Sequence, residues 1–233
     1  MEPYILIRAR RKTLSLRVLP DGQLEVRAPL RLARRVIDGF VAEKAPWIAQ
    51  RREILAQRAV LREEIRRDGP ASLPYLGREL PWRLGGGKKA LLDKDGFLLP
   101  GANVPRSLPA LEELYRRLAR QTLEPLTQQW ANRLGLTVHG IRITGARGRW
   151  GSCSPKGWIN YSWRLVLAPL PAVEGVAVHE LCHLRQPDHS PRFWALVEAA
   201  LPDYKTRRAP LEALSRRLEA EGWDRPDFPG REG

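Results

Sequence analysis

Three of the four histidines in this 233-residue chain lie close together, in the segment HELCHLRQPDH at 179–189. His179 and His183 are four residues apart, so on an α-helix their imidazoles project from one face and can bind the same cation. Glu180 lies about 100° further round the helix axis, within reach of a water on that cation. The HExxH spacing therefore predicts a hydrolytic metal site.

A third ligand is expected shortly after the helix. Pro187 cannot lie inside a helix, and with Asp188 it predicts a turn that folds His189 back towards the metal. Three imidazoles without a thiolate favour Zn²⁺ and leave the fourth tetrahedral position open to water, as in catalytic sites. Glu180 is the predicted general base, which takes a proton from the zinc-bound water. The predicted metal ligands are His179, His183 and His189.

Other assignments of this segment stay open on sequence grounds. The HExxHx5H spacing equals that of metzincin proteases, but Gln186 stands where they have glycine, and the chain's one methionine is its first residue. A downstream glutamate, Glu198, is an alternative to His189 as third ligand. His139 is expected to be structural, and Cys182 is expected to pack rather than to bind metal.

The elements around the histidines are predicted to be a helix and a hairpin. Apolar residues at helical spacing predict a helix over 172–185, and Ser190-Pro191 predicts the start of another. Segments 147–152 and 158–165 predict strands that enclose a turn at 154–157. The hairpin therefore lies next to the metal site in sequence.

A strand beside an active-site helix can bind an extended peptide through backbone pairing. If the hairpin supplies that strand, its side chains line the cleft, and Tyr161 or Asn160 would stabilise an oxyanion. Arg147 and Arg149 would contact phosphate if the substrate were a nucleotide. The predicted substrate-binding residues are Trp150, Asn160 and Tyr161.

The rest of the chain predicts short strands and long helices. Alternating segments predict strands at 4–9, 13–18, 23–28, 76–84 and 90–99, the first three as an antiparallel meander. Longer apolar periodicity predicts helices over 32–59 and 107–134. Three parts are expected: an N-terminal β-rich region with a long helix at 1–106, a metallohydrolase domain at 107–222, and a loose tail at 223–233.

Composition restricts the partners and the compartment. The 40 Lys and Arg against 26 Asp and Glu give a net charge of +14, which attracts polyanions and so favours a nucleotide or nucleic-acid partner. The cations are spread along the chain, however, as on an ordinary solvated surface. No apolar run approaches the ~20 residues of a membrane span. The two cysteines are too few for a disulfide framework, so the cytoplasm is the expected compartment.

A longer stretch of sequence resembles a known family. The run RWGSCSPKGWINYSWRLVLAPLPAVEGVAVHELCHLRQPDHSPRFW at 149–194 resembles the YgjP-like metallopeptidase family, which is related to the SprT-like and WLM zinc proteases. The N-terminal RRKTLSLRVLPDGQLEVRAP and the helix with EKAPWI are also similar, so the resemblance covers nearly the whole chain. Tyr161 departs from it, since an apolar residue is expected there.

The resemblance implies an α+β fold: a zincin-like core with the active-site helix beside a small antiparallel sheet, an N-terminal β-rich region and long helices. By motif position it implies zinc on His179, His183 and His189, with Glu180 as base. The expected function is a zinc-dependent metallopeptidase acting on a peptide or protein. The alternatives are a nucleotide (UTP) pyrophosphohydrolase using the same zinc and a nucleic-acid-associated SprT-like protease.

Overall fold

The computed structural model describes residues 2–223, and the chain divides into two compact units, Met1–Glu63 and Glu64–Gly233. The division predicted after residue 106 falls inside the second unit. Of the predicted loose tail, only Trp223 lies within the described residues, and it is buried with 1% of its surface exposed.

The first unit contains a three-stranded sheet and helices. Its elements are β1 (Ile5–Ala9), β2 (Ser15–Val18), β3 (Leu24–Pro29), α1 (Arg34–Glu43) and the start of α2 (Ala45–Asp68). Strand β3 lies between the other two, antiparallel to β2 and parallel to β1, so the predicted antiparallel meander is wrong for β1. The helix predicted over 32–59 is divided into α1 and α2, and Pro46 lies in the first turn of α2, where a missing N–H costs little, so the helix restarts there.

The second unit begins with two small sheets and one long helix. Its strands are β4 (Leu73–Tyr75), β5 (Arg78–Leu80), β6 (Trp82–Gly85), β7 (Leu91–Asp93) and β8 (Gly96–Pro100), and they are followed by α3 (Val104–Leu134). The side chain of Asn103 accepts a hydrogen bond from the backbone N–H of Arg106 and so caps α3. Gly135 ends the helix in the left-handed conformation, at φ 62°.

A third sheet of the second unit lies beside the histidine helix. The elements are β9 (Gly140–Thr144), β10 (Gly151–Cys153), β11 (Trp158–Ser162), a 3-10 helix (Trp163–Leu167), α4 (Leu170–Cys182), α5 (Pro191–Ala200) and α6 (Tyr204–Glu221). The predicted hairpin is confirmed as the antiparallel pair β10–β11. Strand β9 joins β11 in parallel, so the sheet is mixed, with β10 at one edge.

Helix α4 is the histidine helix, and it is buried on almost every side. Nine of its residues are buried, which is the pattern of a helix packed inside a core rather than on a surface. It packs against α3, α5, α6 and β10. The α+β class predicted from the sequence is confirmed, and the histidine helix lies beside a small sheet that is mixed rather than antiparallel as predicted. Within the described chain, no helix combines the length and the apolar character that crossing a bilayer requires.

Candidate metal centre

Three imidazoles converge at the C-terminal end of α4. The ligand atoms of His179, His183 and His189 all lie within 4.8 Å of one another, and Nε2 of His189 is 3.1 Å from Nε2 of His179. Two nitrogens bound tetrahedrally to one zinc ion lie about 3.3 Å apart, given Zn–N bonds of about 2.05 Å. The spacing of the rings therefore suits a shared metal ion.

The second ring nitrogen of two of these histidines has a protein partner. Nδ1 of His179 lies 3.0 Å from the hydroxyl oxygen of Tyr204, and Nδ1 of His183 lies 3.1 Å from the carbonyl oxygen of Gln186. If Nδ1 carries the proton and donates it to these oxygens, Nε2 is left as a lone-pair donor. Partners of this kind orient metal-binding histidines and fix their tautomer.

The turn after α4 brings the third histidine back, as the sequence predicted. Asp188 Oδ1 accepts hydrogen bonds from the backbone N–H of Ser190, at 3.3 Å, and from Nε2 of Gln186, at 2.6 Å. These bonds close the loop that carries His189. Ser190 occupies the N-cap position of α5, but its buried hydroxyl makes no capping bond and has no partner within the described residues.

One buried aromatic ring packs against all three imidazoles. The ring of Phe193 is fully buried, and its centroid lies 4.4 Å from His183, 4.8 Å from His179 and 4.9 Å from His189. Trp194 flanks the same cluster, at 5.9 Å from His179. Packing against α5 therefore limits the rotation of each ligand ring.

A charged network ties α6 to α4, so that Tyr204 faces His179. Arg207 of α6 pairs with Glu174 of α4, and its Nε also donates to Asp203 at 2.8 Å. The other oxygen of Glu174 accepts a hydrogen bond from the indole N–H of Trp130, at 2.8 Å. One carboxylate thus joins α3, α4 and α6 behind the metal centre.

Burial favours the neutral form of His179 and of His183. Burial, and after it the repulsion from His183, His189 and Arg208, lowers the pKa of His179 to about 3. Burial also lowers the pKa of His183 below its ordinary value, against a smaller opposing effect of its bond to Gln186. A neutral imidazole is the form that binds a metal ion, so protons compete little for His179 at neutral pH.

Glu180 is buried between α4 and β10, with 6% of its surface exposed. Desolvation raises the pKa of its carboxyl group to about 7, and the charge of Arg149 opposes this to a smaller extent. The space for the side chain exists because residue 151 is glycine: a Cβ there would lie 2.6 Å from Oε1 of Glu180 and 2.7 Å from its Cγ. Gly151 thus determines where the carboxylate lies.

The three residues predicted to bind substrate lie in three different environments. Tyr161 is fully buried and shares a 3.0 Å hydrogen bond with Thr127, and burial raises the pKa of its phenol well above the ordinary value. Its hydroxyl is therefore inside the core, and the placement does not fit the oxyanion role expected for it. The apolar environment explains why an apolar residue was expected at this position.

Asn160 lies on the other face of the same sheet. Gly151 pairs with Tyr161 and faces α4, whereas Ser152 pairs with Asn160, and alternate residues of a strand face opposite sides. The side chain of Asn160 donates to Ser152 Oγ at 3.3 Å and lines a cavity of about 230 Å³ on that face. Trp150 is half-buried directly before β10 and is the predicted substrate residue next to the edge strand.

The alternative ligands do not join the cluster. Within the described residues, the group with metal-binding geometry contains the three histidines, and Glu198 instead lines a groove between α5 and α6. Cys182 is buried, and burial raises the pKa of its thiol to about 11, so it packs as an uncharged group. His139 packs against Trp158, with ring centroids 4.9 Å apart.

Three residues that build the site were not assigned a role from the sequence: Gly151, Phe193 and Tyr204. Signals for two of them were present. Glycine is costly inside a strand unless another group approaches closely, and Phe193 follows the third histidine at helical spacing. Tyr204 begins an apolar stripe that continues through Leu211, Leu214 and Leu218, which is the buried face of α6.

Comparisons with known proteins find a family model and a solved structure to which the chain is similar. A family model described as YgjP-like, metallopeptidase domain, matches residues 12–214. The crystal structure of the metallopeptidase zymogen of Pyrococcus abyssi abylysin is similar at 22% sequence identity, covering 42% of this chain and 95% of that chain with a TM-score of 0.36. No curated protein matches the chain.

Proposed function

The chain belongs to the YgjP-like metallopeptidase family, and on this premise we propose that it is a zinc-dependent peptidase that hydrolyses peptide bonds with Glu180 as general base. The observation that carries the proposal is the convergence of three imidazoles, two from the end of α4 and one from the loop before α5, beside the buried glutamate of α4. The family confirms a metallopeptidase. The metal's identity, the ligand set and the role of Glu180 are the proposed parts.

Zinc is the metal that this donor set suits best. The three donors are nitrogens of neutral rings, and neither cysteine belongs to the group, which favours a borderline-soft ion with tetrahedral preference over calcium or magnesium. His179, His183 and His189 would hold the ion. When bound there, zinc would polarise the substrate carbonyl and lower the pKa of a water to about 7.

The chain's own contribution to the reaction is a positioned carboxylate. Ionised Glu180 accepts a proton from the attacking water, and the resulting acid returns it to the nitrogen of the leaving amine. Burial prepares the residue for this exchange, because it raises the pKa of the carboxyl group towards neutrality. A nearby dication lowers that pKa and favours the ionised, proton-accepting form.

The edge strand β10 supports an extended peptide as substrate. The carbonyl oxygen of Trp150 accepts a hydrogen bond from the backbone N–H of Ser162, and the N–H of Ser154 donates to the carbonyl oxygen of Trp158. Along one strand of an antiparallel pair, only every second residue forms such bonds with the partner strand. The backbone groups of Gly151 and Cys153 therefore point away from β11, out of the edge of the sheet. Since β10 packs on α4, a peptide paired there would lie across the metal centre.

The test separates metal binding from hydrolysis. The zinc-loaded protein and its Glu180→Gln variant would be incubated with an unstructured polypeptide, and fragments would be identified by mass spectrometry. We expect the variant to keep its zinc and to lose cleavage by at least about a thousandfold. Glu113→Gln, which changes an exposed carboxylate of α3, is the matched control and should keep both. Cleavage that survives in Glu180→Gln would remove this residue from the mechanism.

A second candidate function rests on the arginines near β10. Arg147, Arg149 and Arg164 line a cavity of about 220 Å³ that also includes Trp150, and guanidinium groups suit phosphate. The same protein would be incubated with UTP, and release of pyrophosphate would be followed. Pyrophosphate without peptide fragments would favour a nucleotide pyrophosphohydrolase.

A nucleic-acid-bound protease would bind DNA with an affinity that falls as salt rises.

A further inference from the structure

A groove runs between α5 and α6 and begins at the metal centre. Its volume is about 750 Å³, within the range of sites that bind small ligands or side chains. Helix α5 contributes one wall and α6 the other. The residues that matter here are Trp194, Glu198, Tyr204, Lys205, Arg208 and Glu212.

The inner end of the groove is formed by residues that contact the metal ligands. The ring of Trp194 lies 5.9 Å from His179 and 5.8 Å from His189. Tyr204 is stacked 6.0 Å from His179 and is hydrogen-bonded to it. A substrate whose scissile bond lies at the metal would therefore place the neighbouring side chain at the mouth of this groove.

An arginine lies close to the inner end of the groove. Arg208 follows Tyr204 by one helical turn and so lies on the same face of α6. Burial lowers the pKa of His179 and raises that of Tyr204, and the charge of Arg208 adds a smaller lowering effect on both. The guanidinium of Arg208 therefore lines the groove one helical turn from the tyrosine that is hydrogen-bonded to His179.

The two cations of the groove, Lys205 and Arg208, are available to a ligand. Among residues 2–223, no carboxylate forms an ion pair with Lys205 or Arg208, whereas Glu212 lies 3.9 Å from Arg216 on its outer side. Both cations are exposed and on α6, and Glu198 is the remaining acid. The lining of the groove thus holds two cations without an ion pair in this part of the chain, Lys205 and Arg208, and two acids, Glu198 and Glu212.

We propose that this groove binds an acidic side chain of the substrate, Asp or Glu next to the cleaved bond, and that Arg208 is the residue that selects it. A guanidinium can form two parallel hydrogen bonds with a carboxylate, which gives direction as well as attraction. The apolar wall of Trp194 packs against the side chain's methylene groups. This inference rests on the proposed peptidase function.

The first experiment measures cleavage preference. A library of peptides would be digested with the zinc-loaded protein and with its Arg208→Ala and Arg208→Glu variants. Residues beside the cleaved bonds would then be counted. With the native protein, we expect Asp and Glu to be enriched about tenfold at one position beside the cleaved bond. Arg208→Ala should show no such enrichment, and Arg208→Glu should show enrichment of Lys and Arg instead. An identical preference in all three proteins would overturn the proposal.

A matched control excludes a general effect of lost positive charge. Arg216 is on the same helix as Arg208, is well exposed and lies outside the groove. Arg216→Ala should cleave with the native preference and the native kcat/KM. If Arg216→Ala shifts the preference as strongly as Arg208→Ala does, the selection comes from overall charge, and the groove has no role in it.

The second experiment is independent of hydrolysis. Acetylated hydroxamates of glutamic acid and glutamine bind through the metal and differ only in the charge of the side chain. We expect the glutamate compound to bind the zinc-loaded protein at least about fivefold more tightly, and Arg208→Ala to abolish this difference. Equal affinities for the native protein would reject the acidic groove even if peptides are cleaved. If the two compounds differ clearly in affinity but no peptide is cleaved, the proposal of an acidic-ligand groove would be supported and the peptidase function would be rejected.

Discussion

Replacing Glu180 by glutamine should make the metal-free protein more stable at neutral and alkaline pH. The carboxyl group is buried against Gly151, and desolvation raises its pKa from the ordinary 4.5 to about 7. Between those two values the folded protein holds a proton that the unfolded chain has released. Native stability therefore falls as pH rises through this window, and the loss is complete above about pH 7.

The size of the effect follows from the two pKa values. Each pH unit between 4.5 and about 7 corresponds to about 1.4 kcal/mol, so the buried carboxylate costs up to about 3 kcal/mol of folding free energy. Glutamine has nearly the same shape and does not ionise. The stability gap between Glu180→Gln and the native protein should thus be small below about pH 4.5, widen with pH, and level off above about pH 7.

Urea unfolding followed by tryptophan fluorescence would measure this gap. Both proteins would be unfolded in the presence of a zinc chelator, in buffers between about pH 4 and pH 8. The control is Glu113→Gln on α3, which removes an exposed carboxylate and should change stability by less than about 0.5 kcal/mol at every pH. His179 also titrates in this pH range, but it does so in all three proteins, so its effect largely cancels when the unfolding free energies of two proteins are subtracted.

A gap that does not vary with pH would refute the reasoning. So would a Glu180→Gln protein that is less stable than the native one at about pH 8. Either result would mean that the carboxylate is not desolvated in the folded state. The argument that burial prepares this residue to exchange a proton near neutral pH would then lose its physical basis.

Three further predictions concern residues around the metal centre. Gly151→Ala places a Cβ 2.6 Å from Glu180 Oε1, so hydrolysis should fall about a hundredfold while zinc content and the circular dichroism spectrum stay native; unchanged kcat would contradict this. Tyr204→Phe removes the partner of His179 Nδ1, so the zinc Kd should rise about tenfold to a hundredfold in a competition assay with a chelating dye; an unchanged Kd would exclude a positioning role. Tyr161→Phe should lower the unfolding free energy by about 1 kcal/mol and leave kcat/KM unchanged; a large loss of activity would restore the oxyanion role expected from the sequence.

The parts of the site predicted from the sequence depend on local geometry. His179 and His183 share a helix face because of the 3.6-residue period, and Pro187 requires the turn that returns His189. The hairpin of β10 and β11 follows from alternation around a turn signal, and the structure has both. Contacts between residues close in sequence are decided by the sequence near them.

Other features involve partners that are distant in sequence, and these were missed or misplaced. The pairing of β1 with β3 rather than β2 depends on long-range packing, which alternation alone does not specify. Helix α6 was not assigned, because Pro210 and many charged residues interrupt an otherwise regular apolar stripe. With that helix unassigned, no groove beside the metal could be expected from sequence.

The sequence by itself determined the convergence of the three histidines and the class of fold, since helix periodicity and turn residues act over a few positions. Only the tertiary structure decided what surrounds that chemistry. It placed Tyr204 on His179, Gly151 against Glu180, and Tyr161 inside the core. Each of these contacts joins separate elements, and their relative positions result from how apolar faces pack together across the whole unit.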